Sequence, residues 1–167
     1  MLLHVVVCAT LLSTGERAMA DDTPEVLQLL ADVDRDDPVV RAKAARRLQE
    51  LGHLRALEAC LKTLDDAPDS LHADYTPSVG SLIAIGKPAL APLVERLGAP
   101  AQLTRMRATN AVLGITKKMF GFDTKSGWPH GAEQRWDGWW GSIGYSPVGD
   151  EAGRMRAIAR LRAWRGP

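Results

Sequence analysis

Gly52 closes the segment "ELG" and Gly86 closes "AIG", 34 residues apart, each at the end of an apolar stretch with helical spacing. A recurrence of that length is one helical hairpin per period, typical of helical solenoids. A lone hairpin cannot bury its apolar face, so units repeating at this distance must stack to create a core. The fold is therefore expected to be all-α, and a chain of 167 residues has room for one domain built this way.

The helix boundaries are written in capping chemistry. Thr23-Pro24 places an N-cap side chain before a proline at the first helical position, and Val26, Leu27, Leu30 and Val33 follow on one face. "DVDRDDP" interrupts that helix. Asp37-Pro38 starts a second, with Val40, Ala44, Leu48 and Leu51 along one side and Gly52 at its end. Leu54, Leu57, Leu61 and Leu64 predict the stripe of a third helix, stopped by "DDAPDS". A fourth runs to Gly86 on Val79, Leu82 and Ile83. Lys87-Pro88 opens a fifth, on Leu90, Leu93, Val94 and Leu97, and a sixth spans about 101–119 with Leu103, Met106, Asn110 and Leu113. No alternating pattern of strand type competes.

The segment "DDPVVRAKAARRLQELG" resembles the HEAT repeat, in the short bacterial version also found in phycobilisome lyase-like proteins. Asp37, Pro38, Val40, Arg41, Ala44, Ala45, Leu48, Leu51 and Gly52 carry the likeness. The second unit keeps the Gly86 ending and the Pro88-Ala89 helix but lacks an arginine at the place of Arg41. "RMRATNAVLGIT" restores the pattern with Arg107, Asn110 and Ala111, so the likeness covers about residues 24–119. The resemblance implies a short HEAT-like α-solenoid of about three hairpins that serves as a binding scaffold. It also implies that Arg41 and Arg107 pair with acidic residues of a neighbouring turn, Asp34, Asp36 or Asp37 being the candidates.

Aromatic residues are scarce except in "FGFDTKSGWPHGAEQRWDGWW", which holds both phenylalanines and four of the five tryptophans. Trp136, Trp139 and Trp140 fall at i, i+3 and i+4, so one helical turn puts them on one face. The last hairpin of a solenoid exposes an apolar side, and an atypical terminal sequence is expected to cover it. Similar bacterial HEAT-like chains end in a comparable run, matched here by Thr116, Phe120-Gly121, Phe122-Asp123 and Trp136 to Trp140, with a departure at Lys117. Phe120, Phe122, Trp136, Trp139 and Trp140 are therefore expected to form a core-sealing cap over 120–147. The competing reading is a sugar- or peptide-binding platform, for which Trp128 and His130, in a Gly/Pro loop, are the candidate ligand residues.

Other chemistry finds little support. His72 and Asp74 stand near Asp65, Asp66 and Asp69, but the spacing matches no metal-ligand motif, and helix-capping residues in a solvated loop explain them. His53, just after Gly52, suits the end of a helix. No nucleophile elbow, phosphate loop, paired-cysteine or His-carboxylate metal motif occurs, so neither an enzyme nor a metal or cofactor site is expected. Residues 21–74 carry 13 acidic against 7 basic side chains, and 75–167 carry 6 against 13. The basic residues are scattered, without the compact run and interleaved aromatics of a nucleic-acid surface.

At the front, Leu2 to Leu12 is an apolar run and Ala18-Met19-Ala20 a small-x-small cleavage pattern, which together read as an export signal over residues 1–20. The run is too short for a membrane span, for which roughly 20 residues are needed. An apolar first helix of a cytoplasmic protein is the alternative. Cleavage would leave Cys60 as the lone thiol, a small buried hydrophobe. At the other end, 148–167 reads as a basic closing helix that packs through Ile158 and Leu161 while its arginines snorkel. The function expected is an exported scaffold for an unidentified protein partner, bound on the surface built from the second helix of each hairpin. A carbohydrate- or peptide-binding auxiliary module, or a small enzyme accessory, using the Trp-rich segment is the alternative.

Overall fold

The computed structural model describes residues 23–66 and 72–167. The expected signal segment, Cys8 and Asp69 lie outside them. The described chain is all-helical, with eight α-helices, one short 3-10 turn and an isolated bridge between Asp123 and Gly127. The helices are α1 (Pro24–Asp32), α2 (Pro38–Glu50), α3 (Ala56–Lys62), α4 (Pro77–Ile85), α5 (Leu90–Arg96), α6 (Gln102–Met119), α7 (Ala132–Ile143) and α8 (Glu151–Ala163). The 3-10 turn, Lys87–Ala89, leads into α5.

Helix starts follow the capping signals. Thr23 Oγ1 accepts from the Val26 N–H at 3.2 Å, Asp37 from Val39 at 2.8 Å, and Thr76 from Val79 at 3.4 Å, each with proline next in the chain. Asp150 caps α8 without one, accepting from Gly153 at 2.6 Å. Helix ends use glycine. After α2, the Gly52 N–H bonds Gln49 O and the His53 N–H bonds Leu48 O, both at 3.0 Å; after α6, Gly121 bonds Lys118 O and Phe122 bonds Lys117 O. This pairing of the last free carbonyls requires positive φ at the linking residue, 68° at Gly52 and 99° at Gly121, where a side chain would be strained.

In the packing, α2, α4 and α6 form a continuous row, while α1 packs on α2, α3 on both α2 and α4, and α5 on α6. Leu48, Leu82 and Val112 sit at the centre of the row, each fully buried. Small residues flank them: Ala44 and Ala45, Ser78 and Ser81, Ala108 and Ala111. Beyond the row, α8 packs on α5 and α7 on α8. Ile143, Tyr145, Ala157, Ile158 and Leu161 join the same core, whereas Met155 is exposed.

Two helices centre their buried side on smaller residues than the large apolar ones their spacing selects. In α3 the buried side is Ala56, Ala59 and Cys60, continuing into Thr63 and Leu64, while Leu57 and Leu61 are half-buried at its edges and Leu54 is exposed. In α6 the buried side is Thr104, Ala108, Ala111, Val112 and Ile115. Leu103 is exposed, and Met106, Asn110 and Leu113 are only half-buried. Close helix contact selects small side chains for the contact line and pushes leucines to its margins.

The tightest such contact is between α4 and α6. A Cβ built on Gly114 would lie 2.7 Å from Ile83 Cγ1 and 3.2 Å from its Cγ2. Gly114→Ala is expected to lower unfolding free energy by about 1–3 kcal/mol through overpacking. In the Ile83→Ala background the same change is expected to cost markedly less, the coupling of residues in contact. Denaturant titration of the four chains measures it, and strictly additive losses would contradict the contact.

Candidate functional site

Three arginines anchor the loops that connect the helices. Arg41, on α2, forks onto Asp66, with Nε to Oδ2 at 2.8 Å and Nη2 to Oδ1 at 2.7 Å, and its Nη1 donates to the carbonyls of Arg35 and Asp36 at 2.8 Å. The carboxylates of Asp34, Asp36 and Asp37 accept no hydrogen bond from it, although Asp36 and Asp37 lie near enough to favour its charge; Asp34 pairs with Lys62 and Asp37 caps α2. A planar guanidinium satisfied on both edges fixes the loop before α2 to the loop after α3.

The residue that repeats this pattern is Arg105, not Arg107. Its Nη1 donates to Ala99 O at 2.8 Å and Pro100 O at 2.6 Å, again six and five residues back, and its Nε reaches Pro147 O at 2.8 Å. Arg107 instead reaches across to the preceding loop, donating to Ala73 O, Asp65 O and Asp65 Oδ1 at 2.8–3.0 Å. Asn110 holds the same loop through Asp74, and Thr104 donates to Asp65 Oδ2 at 2.8 Å. Asp65, Asp66 and Asp74 are thus each directed at α2 or α6, and His72 is exposed. Among the described residues no three His, Cys, Asp or Glu side chains are placed to share a metal ion.

Holding these loops leaves the α2–α4–α6 face open. One depression, about 470 Å³, lies between α2 and α4 and is bordered by Arg46, Gln49, Glu50 and Gly80. A second, about 510 Å³, lies between α4 and α6, bordered by His72, Asp74, Asn110, Leu113, Lys117, Lys118 and Phe122. Tyr75 lines both, and half of it is exposed. It stands 34 residues after Arg41, the place where the second unit lacks its arginine. That missing arginine was the signal for Tyr75.

At the far end of the second depression the aromatic segment begins. Phe122 packs on Trp128 with centroids 5.1 Å apart, Trp128 on Trp136 at 5.8 Å, and Trp136 stacks on Trp140 at 6.5 Å. Trp140 in turn contacts Trp139 at 5.8 Å, which joins Phe120 and Trp164 of the chain's last residues to the same network, with Trp139 and Trp164 only 4.3 Å apart. Trp136 is buried and donates from Nε1 to Thr116 Oγ1 at 3.1 Å, with Lys117 Nζ 4.8 Å from its ring centroid. Trp139 and Trp140 are half-buried. Trp128 is also half-buried, in contact with two rings despite its Gly/Pro surroundings, and His130 is exposed.

The segment's own turn is fixed by Asp123, whose Oδ1 accepts from the backbone N–H groups of Lys125 and Ser126 at 2.9 and 3.0 Å. These bonds, that of Ser126 foremost, hold its carboxyl below the usual range. Cys60, by contrast, is buried against α2, its Sγ 3.6 Å from Ala45 O, and burial pushes the thiol up to about 11. A thiol in that state is a packing group rather than a nucleophile. His53, just after Gly52 at the end of α2, is buried, with Nδ1 accepting from the Arg55 N–H at 3.3 Å.

No single helix among the described residues is long and apolar enough to cross a membrane. No protein-family model, curated protein or solved structure matches the chain.

Proposed function

We propose that the protein is an exported, short HEAT-like α-solenoid that holds a segment of a partner protein along its α2–α4–α6 face. The observation that carries this reading is Tyr75, a half-exposed aromatic ring at the junction of two open depressions. Rigid aromatic anchors at the centre of a contact surface supply much of the energy of protein association. The surrounding borders are polar and of both signs, with Arg46 and Glu50 at one end and Asp74, Lys117 and Lys118 at the other. That composition suits a polypeptide better than a polyanion. The leader over residues 1–20 belongs to the same proposal, supported by its apolar run and its Ala18-Met19-Ala20 site.

The aromatic segment completes the reading as an end cap. Ile143 and Tyr145 enter the common core, and the Tyr145 hydroxyl donates to Leu97 O at 2.8 Å. An all-helical row would otherwise end on an open apolar face.

A photo-crosslinking side chain placed at position 75 of the full chain, in the cell that produces it, is expected to give one discrete protein adduct. The same group at position 27, an exposed leucine of α1, is expected to give none. Tyr75→Ala, at an exposed position, should leave folding within about 0.5 kcal/mol while weakening the captured partner's binding by tenfold or more. Equal labelling from both positions would overturn the assignment of the face.

A further inference from the structure

A separate cavity of about 290 Å³ lies between α5, α6 and the end of α8, and it shares no lining residue with the two depressions of the α2–α4–α6 face. Its walls are apolar: Leu90, Val94, Val112, Met119, Leu161 and Trp164. Its rim is cationic, with Lys87, Arg162 and Arg165 against Glu95 alone. Arg162 is committed to Glu95 through a fork of 2.9 and 2.5 Å. Lys87 and Arg165 have no carboxylate partner among the described residues.

The cavity's outer wall is built rather than incidental. After α8 the backbone turns extended at Trp164, whose ring stacks on Phe120 at 6.3 Å and lies 4.3 Å from Trp139. Gly166, at φ 119°, brings the chain back beside Met119. The side chain with the largest apolar area in the wall is thus held in place before any ligand arrives, which lowers the ordering cost of binding.

Size and charge narrow the ligand. A dry protein cavity of about 150 Å³ accommodates benzene, so one about twice as large suits on the order of ten to twelve heavy atoms. An apolar wall with two unneutralised cations at the mouth complements a single anionic head on a hydrocarbon tail. We propose that this cavity binds a free medium-chain fatty acid, its tail between α5, α6 and Trp164 and its carboxylate at Lys87 and Arg165.

The test is calorimetric titration of the purified chain with decanoate, and with decanol as the uncharged counterpart. Decanoate is expected to saturate one site and to bind at least tenfold more tightly than decanol. Lys87→Glu with Arg165→Glu, both on exposed side chains, should cost decanoate tenfold or more and leave decanol unchanged. Ala91→Trp, which fills the mouth from an exposed position on α5, should abolish binding of both. The rim variant decides the matter even where Ala91→Trp fails to fold. Absence of saturable decanoate binding, equal affinity for the two ligands, or unchanged decanoate affinity in the rim variant would overturn the assignment.

Discussion

Leu48→Ala is expected to lower the unfolding free energy by about 2–5 kcal/mol, a large part of the roughly 5–15 kcal/mol available to a typical domain. Leu48 is 0% exposed and sits in the middle of α2, which packs on α1, α3 and α4 at once. Three neighbouring helices make inward collapse costly, so most of the cavity left by the lost isobutyl group persists. The flanking Ala44 and Ala45 are already the smallest side chains that keep a Cβ and cannot move in to fill it. Leu82→Ala, at the equivalent place in α4, should behave alike. Val112→Ala removes fewer atoms and should cost less. Chemical denaturation of the purified protein measures all three, and a loss below about 0.5 kcal/mol for Leu48→Ala would show that this stripe does not form the core.

How much of this architecture could be read from the sequence depended on how local the controlling interaction is. Thr23-Pro24, Asp37-Pro38 and the glycines at 52 and 86 act on the backbone within a few residues, and each sits at a helix boundary in the structure. Face assignment fared less well wherever helices approach closely. Counting large apolar residues selects Leu54, Leu57, Leu61 and Leu64; Leu64 is buried, yet the rest of the contact line is made by Ala56, Ala59 and Cys60, which carry little weight in such a count. The arginine register escapes sequence reading for a similar reason. The sequence pattern selects Arg107, but it is Arg105 that bonds the carbonyls five and six residues back, a contact that spacing does not reveal. The partners of the aromatic segment were beyond local reading altogether. Phe120 meets Trp164 across 44 positions of chain, and Trp128 finds its ring neighbours through the fold of a loop rather than through helical spacing.

Trp136→Ala is expected to be the most damaging change in the aromatic segment, at roughly 3–5 kcal/mol. Helical spacing alone ranks Trp139 and Trp140 beside it, but the structure separates the three. Trp136 is buried, lies between Trp128 and Trp140, and gives its N–H to Thr116, a side chain with no solvent exposure on α6. Trp139 and Trp140 are half-buried and should lose less; Trp128, with two ring contacts, should lose a measurable amount rather than nothing. Substitution by phenylalanine isolates the hydrogen bond from the ring. Trp136→Phe removes the donor that Thr116 receives and is expected to cost about 1–3 kcal/mol in a buried setting. The Trp139 Nε1 atom is buried without a hydrogen-bond partner among the described residues, so Trp139→Phe discards an unpaired polar group and is expected to be neutral or stabilising. Under the end-cap reading Trp136→Phe therefore loses stability while Trp139→Phe does not. Denaturation midpoints for the pair provide the decision: equal losses in both would remove the Trp136–Thr116 bond as the link between α7 and α6, and no loss in either alanine variant would remove the cap itself.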